Sequence, residues 1–190
     1  PSPEELHGIH AGKHEHGELL NRVRELKGEE MHQNADESNG YARPKDITGV
    51  CAFDTQATIT FLYNEPGHGV ITELLAEVFA GDADGFLTET NVSEVALVAR
   101  FEGVDDTLTD ALLRDANRDS RALERQGLSI KSADWRLAAE VKADGSISLA
   151  DAYAVALADD RDTILVAGAD NKFENLPLPT DLFPLREDGV

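Results

Sequence analysis

Cysteine is almost missing from this chain. Its 190 residues contain one, Cys51, so no internal disulfide framework is available and the lone thiol fits a reducing cytosol. Lysine is scarce, six against eleven arginines, and together they face 37 acids, for a net charge of −20. A protein that coats nucleic acid generically would be basic. Long hydrophobic runs are missing too. Stretches such as Val95–Ala99 are far too short to span a bilayer, and no apolar h-region near the N-terminus marks a secretory signal. The expectation is a cytoplasmic protein with no membrane partner.

Apolar residues are also sparse at one end. Residues 1–46 hold 11 of them, about 24 %, well below the globular norm. The other 144 residues are about 47 % apolar. The sequence therefore reads as an N-terminal extension over 1–46, too poor in apolar area to offset its ordering entropy, and one globular domain over 47–190. His7, His10 and His14 would share a helical face able to hold a transition metal. Gly8, Gly12 and Gly17 weaken that helix, and a solvated tail is the simpler reading. Leu19, Leu20, Val23 and Leu26 form a short amphipathic stripe, the one part of the extension suited to docking. Residues 32–46 read as linker.

The domain from 47 to 190 carries 27 acids and 11 bases. Such a surface repels itself in low salt and is comfortable where salt screens it, which points to a halophile's cytosol. Acidity imposed by habitat does not exclude a nucleic-acid substrate.

From Gly49 onward the pattern is regular. Strands are expected at Val50–Phe53, Phe86–Thr88, Leu128–Ile130 and Thr163–Val166, with an edge strand at Leu182–Leu185, where Pro184 is tolerated. Helices are expected at 55–63, 70–80, 92–101 and 105–126, then from a Ser132 cap to Ala143, and from Ser148 to about Ala158. Strands alternating with helices predict an α/β fold with a mainly parallel sheet covered on both faces.

In such a sheet a site forms at the carboxyl ends of the strands, beside a switch in strand order. Asp54 follows the first strand, and Asp170 lies beyond the strand TILV. Glu94 and Asp151 are placed in first helical turns. Each acid also has a structural reading. Asn91 to Glu94 and Ser148 to Asp151 resemble capping boxes, Asp54 suits an N-cap and Asp170 a turn. Composition and spacing leave both readings open.

The ordered set Phe53-Asp54-Thr55, Asn91-Val92-Ser93-Glu94-Val95, Ser148-Leu149-Ala150-Asp151-Ala152-Tyr153-Ala154-Val155-Ala156 and Leu165-Val166-Ala167-Gly168-Ala169-Asp170-Asn171-Lys172-Phe173 resembles a PIN-domain nuclease of the VapC toxin type. The likeness spans about residues 49–185. It implies a three-layer α/β/α sandwich and a divalent-metal endoribonuclease, commonly homodimeric and commonly silenced by an antitoxin. Asp54, Asp151 and Asp170 are then metal ligands, direct or through water, and Glu94 completes the cluster as a ligand or by orienting the attacking water. Hard oxygen donors suit Mg²⁺ or Mn²⁺. One departure is Gly168, where the family often has Thr or Ser.

Two other readings remain: a PIN nuclease of RNA processing or quality control, and a non-catalytic PIN-like interaction module. The presence of all four acids argues against the latter. Arg114, Arg118, Arg121 and Arg125 fall on one helical face, suited either to substrate phosphates or to a salt-bridged solvent face with Asp110 and Asp115; the second is favoured. Leu112 and Leu123 are expected to face the core or a dimer partner. Trp135 reads as a packing anchor, Cys51 as core and His68 as solvated.

A chain starting near Pro44 should stay folded, with a thermal midpoint in matched high salt close to that of the full chain. Insolubility, or melting far below the full chain, would place the extension in the core.

Overall fold

The structure is a computed structural model of the chain. It describes residues 49–63, 65, 67–101, 106–144, 147–168, 173, 176 and 181–185, with the backbone alone at 98–101, 106–113, 115, 144 and 184. The histidine cluster, the stripe from Leu19 to Leu26 and the linker lie outside the described residues, as does the side chain of Leu112.

The run Val50-Cys51-Ala52-Phe53 is apolar throughout, as a strand covered on both faces must be. It forms β1 (Val50–Phe53), the central strand of a five-stranded sheet. The others are β2 (Asp84–Thr88), β3 (Ser129–Lys131), β4 (Ile164–Ala167) and β5 (Leu182–Pro184). Their order is β3-β2-β1-β4-β5 and every pairing is parallel. Phe53 stands opposite Leu87 on one side and Val166 on the other. Pro184 sits on the edge strand, where a missing N–H costs no ladder bond. The order turns back at β1, so the crevice favoured by ligands opens between the carboxyl ends of β1 and β4.

Six helices are described: α1 (Thr55–Tyr63), α2 (His68–Ala80), α3 (Glu89–Phe101), α4 (Asp106–Gln126), α5 (Trp135–Asp144) and α6 (Leu149–Arg161). Alternation along the strands divides the core in two. Cys51, Phe53 and Val166 pack with Phe61, Ile71 and Leu74 of α1 and α2, and with Ala122 and Leu123 of α4. Ala52, Leu165 and Ala167 face the other way, onto Val141 of α5 and Ala152, Val155 and Ala158 of α6. The fold is the expected α/β/α sandwich. Gly85 permits close approach on the first face: a Cβ there would lie 2.8 Å from Val78 Cγ2 and 2.9 Å from Leu128 Cδ1. Among the described residues no helix is long and apolar enough to cross a membrane.

Two of the helix starts that differ from expectation do so because another residue caps them. Helix α3 begins at Glu89, not Val92, since the Thr88 hydroxyl accepts the Asn91 N–H at 3.0 Å. Helix α5 begins at Trp135: Asp134 Oδ1 accepts the Arg136 N–H at 2.8 Å, while Ser132 donates its hydroxyl to Glu89 at 3.0 Å instead of capping. Trp135 is not a packing anchor. It is 59 % exposed, at the start of a helix that follows the edge strand β3, with the Arg136 guanidinium 4.4 Å from its ring centroid. Cys51 and Leu123 are buried as expected. His68 is half-buried rather than solvated, its Nδ1 3.0 Å from the Glu65 carbonyl oxygen.

Candidate active site

Asp54 is the first residue beyond β1. Its N–H still donates to the Val166 carbonyl at 3.0 Å, and its own carbonyl accepts the Thr58 N–H and hydroxyl, at 3.2 and 2.9 Å, to start α1. The carboxylate is fixed at both oxygens. Oδ1 accepts the Ala57 N–H at 2.6 Å, which makes Asp54 the N-cap of α1. Oδ2 accepts the Gly168 N–H at 3.1 Å, from the chain leaving β4. One side chain thus ties the first helix to the far lip of the crevice.

The group is 2 % exposed, and burial pushes its pKa from 3.8 up to about 7. The two N–H donors pull it down; the charges of Asp151 and Glu94 add to the rise. Asp151 is the third residue of α6 and keeps its capping role: its Oδ2 accepts the Ser148 N–H at 2.9 Å, and the Ser148 hydroxyl accepts the Asp151 N–H at 3.0 Å. Because α3 starts early, Glu94 lies in its second turn, not its first, and Asn91 and Glu94 do not form a capping box. Asp170 lies outside the described residues.

Asn91, expected only as a cap paired with Glu94, has a different role. It is fully buried. Its side-chain amide donates to Thr55 Oγ1 at 3.0 Å and to the Ala150 carbonyl at 3.2 Å, and its Oδ1 accepts the Thr88 hydroxyl. It binds together the starts of α1, α3 and α6, the helices that carry or follow the acids. The signal was the spacing Thr88 to Asn91, a cap one turn earlier than the one inferred.

Among the described residues no three His, Cys, Asp or Glu side chains form a ready cage for a metal, and no ion pair involves Asp54, Glu94 or Asp151. The carboxylates feel one another without touching. That donor chemistry fits a hard dication such as Mg²⁺, which binds through one or two carboxylates and retains several waters. It does not fit a metal that needs sulfur or imidazole.

The family model of the PIN domain matches residues 51–178. The chain belongs to the PIN domain family. PIN domains are generally nucleases, hence hydrolases, and usually use divalent metals. The chain is also similar to a structure described as FitAB bound to an IR36 DNA fragment, at 17 % identity and a TM-score of 0.49, over 71 % of this chain and 94 % of that one. No curated protein matches.

The glycine at 168 in this PIN domain has a local cause. A Cβ there would lie 2.5 Å from Gln56 Cγ and 2.8 Å from Gln56 Cβ. The Gln56 side chain fills the space a Thr or Ser would need, and its amide is held by Glu65 Oε2 at 2.8 Å.

Two predictions follow from this packing and charge. The native pKa of Asp54 lies above the value of an unfolded aspartate. Its contribution to stability is therefore fully present below about pH 4 and is lost as pH rises through about 7, when the buried group must ionise. The rise corresponds to on the order of 4 kcal/mol; an Asn would remove it but leave one N–H facing an amide donor, at about 1–3 kcal/mol. In EDTA, Asp54→Asn should raise the thermal midpoint at pH 8 and lower it at pH 4, as followed by circular dichroism. An equal shift at both pH values would refute the buried charge. Gly168→Ala should cost about 1–3 kcal/mol in denaturant unfolding by overpacking, and Gln56→Ala should recover most of that loss. Additive effects of the two changes would separate the residues.

Proposed function

We propose that this PIN domain is a divalent-metal-dependent endoribonuclease, the toxin of a VapC-type toxin–antitoxin pair, active in the cytoplasm of a halophile as a homodimer and restrained by an antitoxin. The domain spans 47–190, with 1–46 as a separate extension. The observation that carries the reading is the Asp54 carboxylate, buried at the strand-order switch and burdened further by Asp151 and Glu94. Burying a carboxylate is costly even with two N–H donors, and a bound cation would offset that cost. The toxin assignment rests on the sequence likeness around Ser148 to Ala156 and Asp170.

Asp54, Asp151 and Asp170 would hold the metal in this proposal, directly or through water, and Glu94 would complete the cluster as a ligand or by orienting the attacking water. Bound Mg²⁺ or Mn²⁺ lowers the pKa of water and stabilises charge on the phosphodiester and leaving oxygen. The chain supplies the rest. The N–H groups of Ala57 and Gly168 hold the Asp54 carboxylate in one orientation. One oxygen of Asp151 closes the capping box, and the charge of the carboxylate is felt at Asp54. Water adds to phosphorus, the phosphorus–oxygen ester bond breaks, and the departing oxygen takes up a proton. No Ser or Cys nucleophile is required.

Incubating total RNA with the full chain at high salt, with and without Mg²⁺ or Mn²⁺, should give discrete fragments only with metal. Asp54→Asn should reduce cleavage to background with its circular dichroism spectrum preserved, and should abolish growth arrest on expression. Undiminished cleavage by the folded variant would overturn the assignment.

A further inference from the structure

Helix α4 carries an outward line of arginines that the carboxylate site does not use. At 100° per residue, Arg114, Arg118, Arg121 and Arg125 lie within about 60° of one another. Ala116, Ser120 and Leu123 are buried and lie on the other side. By the same spacing Asp115 lies about 90° to one side of the line and Glu124 about 90° to the other, while Asp110 precedes Arg114 by one turn in the same row. The side chains of Asp110 and Asp115, the acids expected to pair with this face, lie outside the described residues. Arg114, Arg121 and Arg125 are exposed, and among the described residues no ion pair involves them; Arg118 pairs with Asp119 at 3.6 Å. Four of the eleven basic residues between 47 and 190 thus stand in one row on a domain of strongly negative charge.

We infer that this row on α4 is a docking track for the phosphate backbone of a single-stranded RNA; the inference rests on the ribonuclease reading and names where the substrate lies. Three features select that occupant. The positive row is complementary to a polyanion, and the rest of the acidic surface repels one, so binding is confined to the row. Successive arginines are about 6, 4.5 and 6 Å apart along the axis at 1.5 Å per residue, a regular ladder of the same order as neighbouring phosphates on a strand. All four are arginine in a chain that contains lysine elsewhere, and the planar guanidinium forks onto phosphate oxygens. The row is also placed for the reaction. Helix α4 packs on α3, which carries Glu94, while its C-terminal end packs through Ala122 and Leu123 beside Val78 and Leu128. A strand on the row lies alongside the helix that supplies an acid of the site.

The test is binding of a fluorescein-labelled 20-nucleotide oligouridylate to the full chain in EDTA, as a function of KCl. Each phosphate contact on a single strand contributes about 0.7 to the slope of log affinity against log salt. Arg121→Gln with Arg125→Gln should lower that slope by about 1.4 and weaken binding roughly tenfold or more at the lowest salt, with the melting temperature unchanged. Arg121→Lys with Arg125→Lys should keep the slope, since the charge remains. An unchanged slope in the glutamine variant, or no binding at any salt, overturns the track. Displacement of the RNA by poly-glutamate at equal charge concentration also overturns it, in favour of an acidic protein partner. Metal-dependent cleavage without arginine-dependent binding sinks the track alone. Arginine-dependent binding without cleavage under any metal sinks the ribonuclease reading and leaves the track standing.

Discussion

The Asp54 carboxylate, held between two backbone N–H groups that belong to different elements, is the contact on which the site depends. The Ala57 N–H comes from the first turn of α1 and the Gly168 N–H from the end of β4. Only a parallel sheet whose order turns back at β1 brings those two groups together. The bonds are local in energy, about 1–3 kcal/mol each for a charged acceptor, but they determine geometry. They leave the carboxylate no freedom to turn toward solvent. The raised pKa is the consequence: two donors are too few to offset complete burial and two neighbouring carboxylates.

Helix N-termini make this crowding tolerable. Asp54 caps α1, Asp151 lies in the first turn of α6, and Glu94 lies one turn into α3. At the starts of α1 and α6 the unsatisfied N–H groups and the helix dipole favour negative charge; Glu94, in the second turn of α3, gains less. Asn91 then locks the three starts together through Thr55, Thr88 and the Ala150 carbonyl. It does so as a neutral residue, adding no charge to a region already overloaded. Capping and site chemistry are therefore not competing explanations for these acids. Asp54 and Asp151 each use one oxygen as a cap, and that fixed oxygen orients the other.

The residues most legible from sequence were those whose partners are near in the chain. The apolar run of β1, the cap at Asp54 and the Ser148–Asp151 box all follow from a window of a few residues. The start of α3 was misplaced because Thr88 reads as the last residue of a strand and is also the cap of the next helix. Trp135 was read as a packing anchor, yet its position after the edge strand leaves it exposed, and that depends on strand order. Gly168 was visible as a departure, but its cause was not: Gln56, whose side chain excludes a Cβ there, is 112 positions away and meets it only once β1 and β4 are paired. The family likeness carried more of the fold than local pattern did, because it encodes that pairing.

The charge of this domain poses two separate problems. Repulsion among exposed acids is screened within about 3 Å at molar salt, so a concentrated medium relieves the surface. Asp54 is 2 % exposed, so bulk salt screens it much less than it screens the surface. Its repulsion with Asp151 and Glu94 acts partly through protein, where the effective dielectric is lower than in water. Salt that relieves the surface therefore relieves the site less. The same screening weakens any contact between the α4 arginines and a polyanion. In molar salt, retaining an anionic ligand would take several cations in register, and retaining the crevice carboxylates would take one bound cation. The proposed track on α4 would supply the first, and the proposed metal the second.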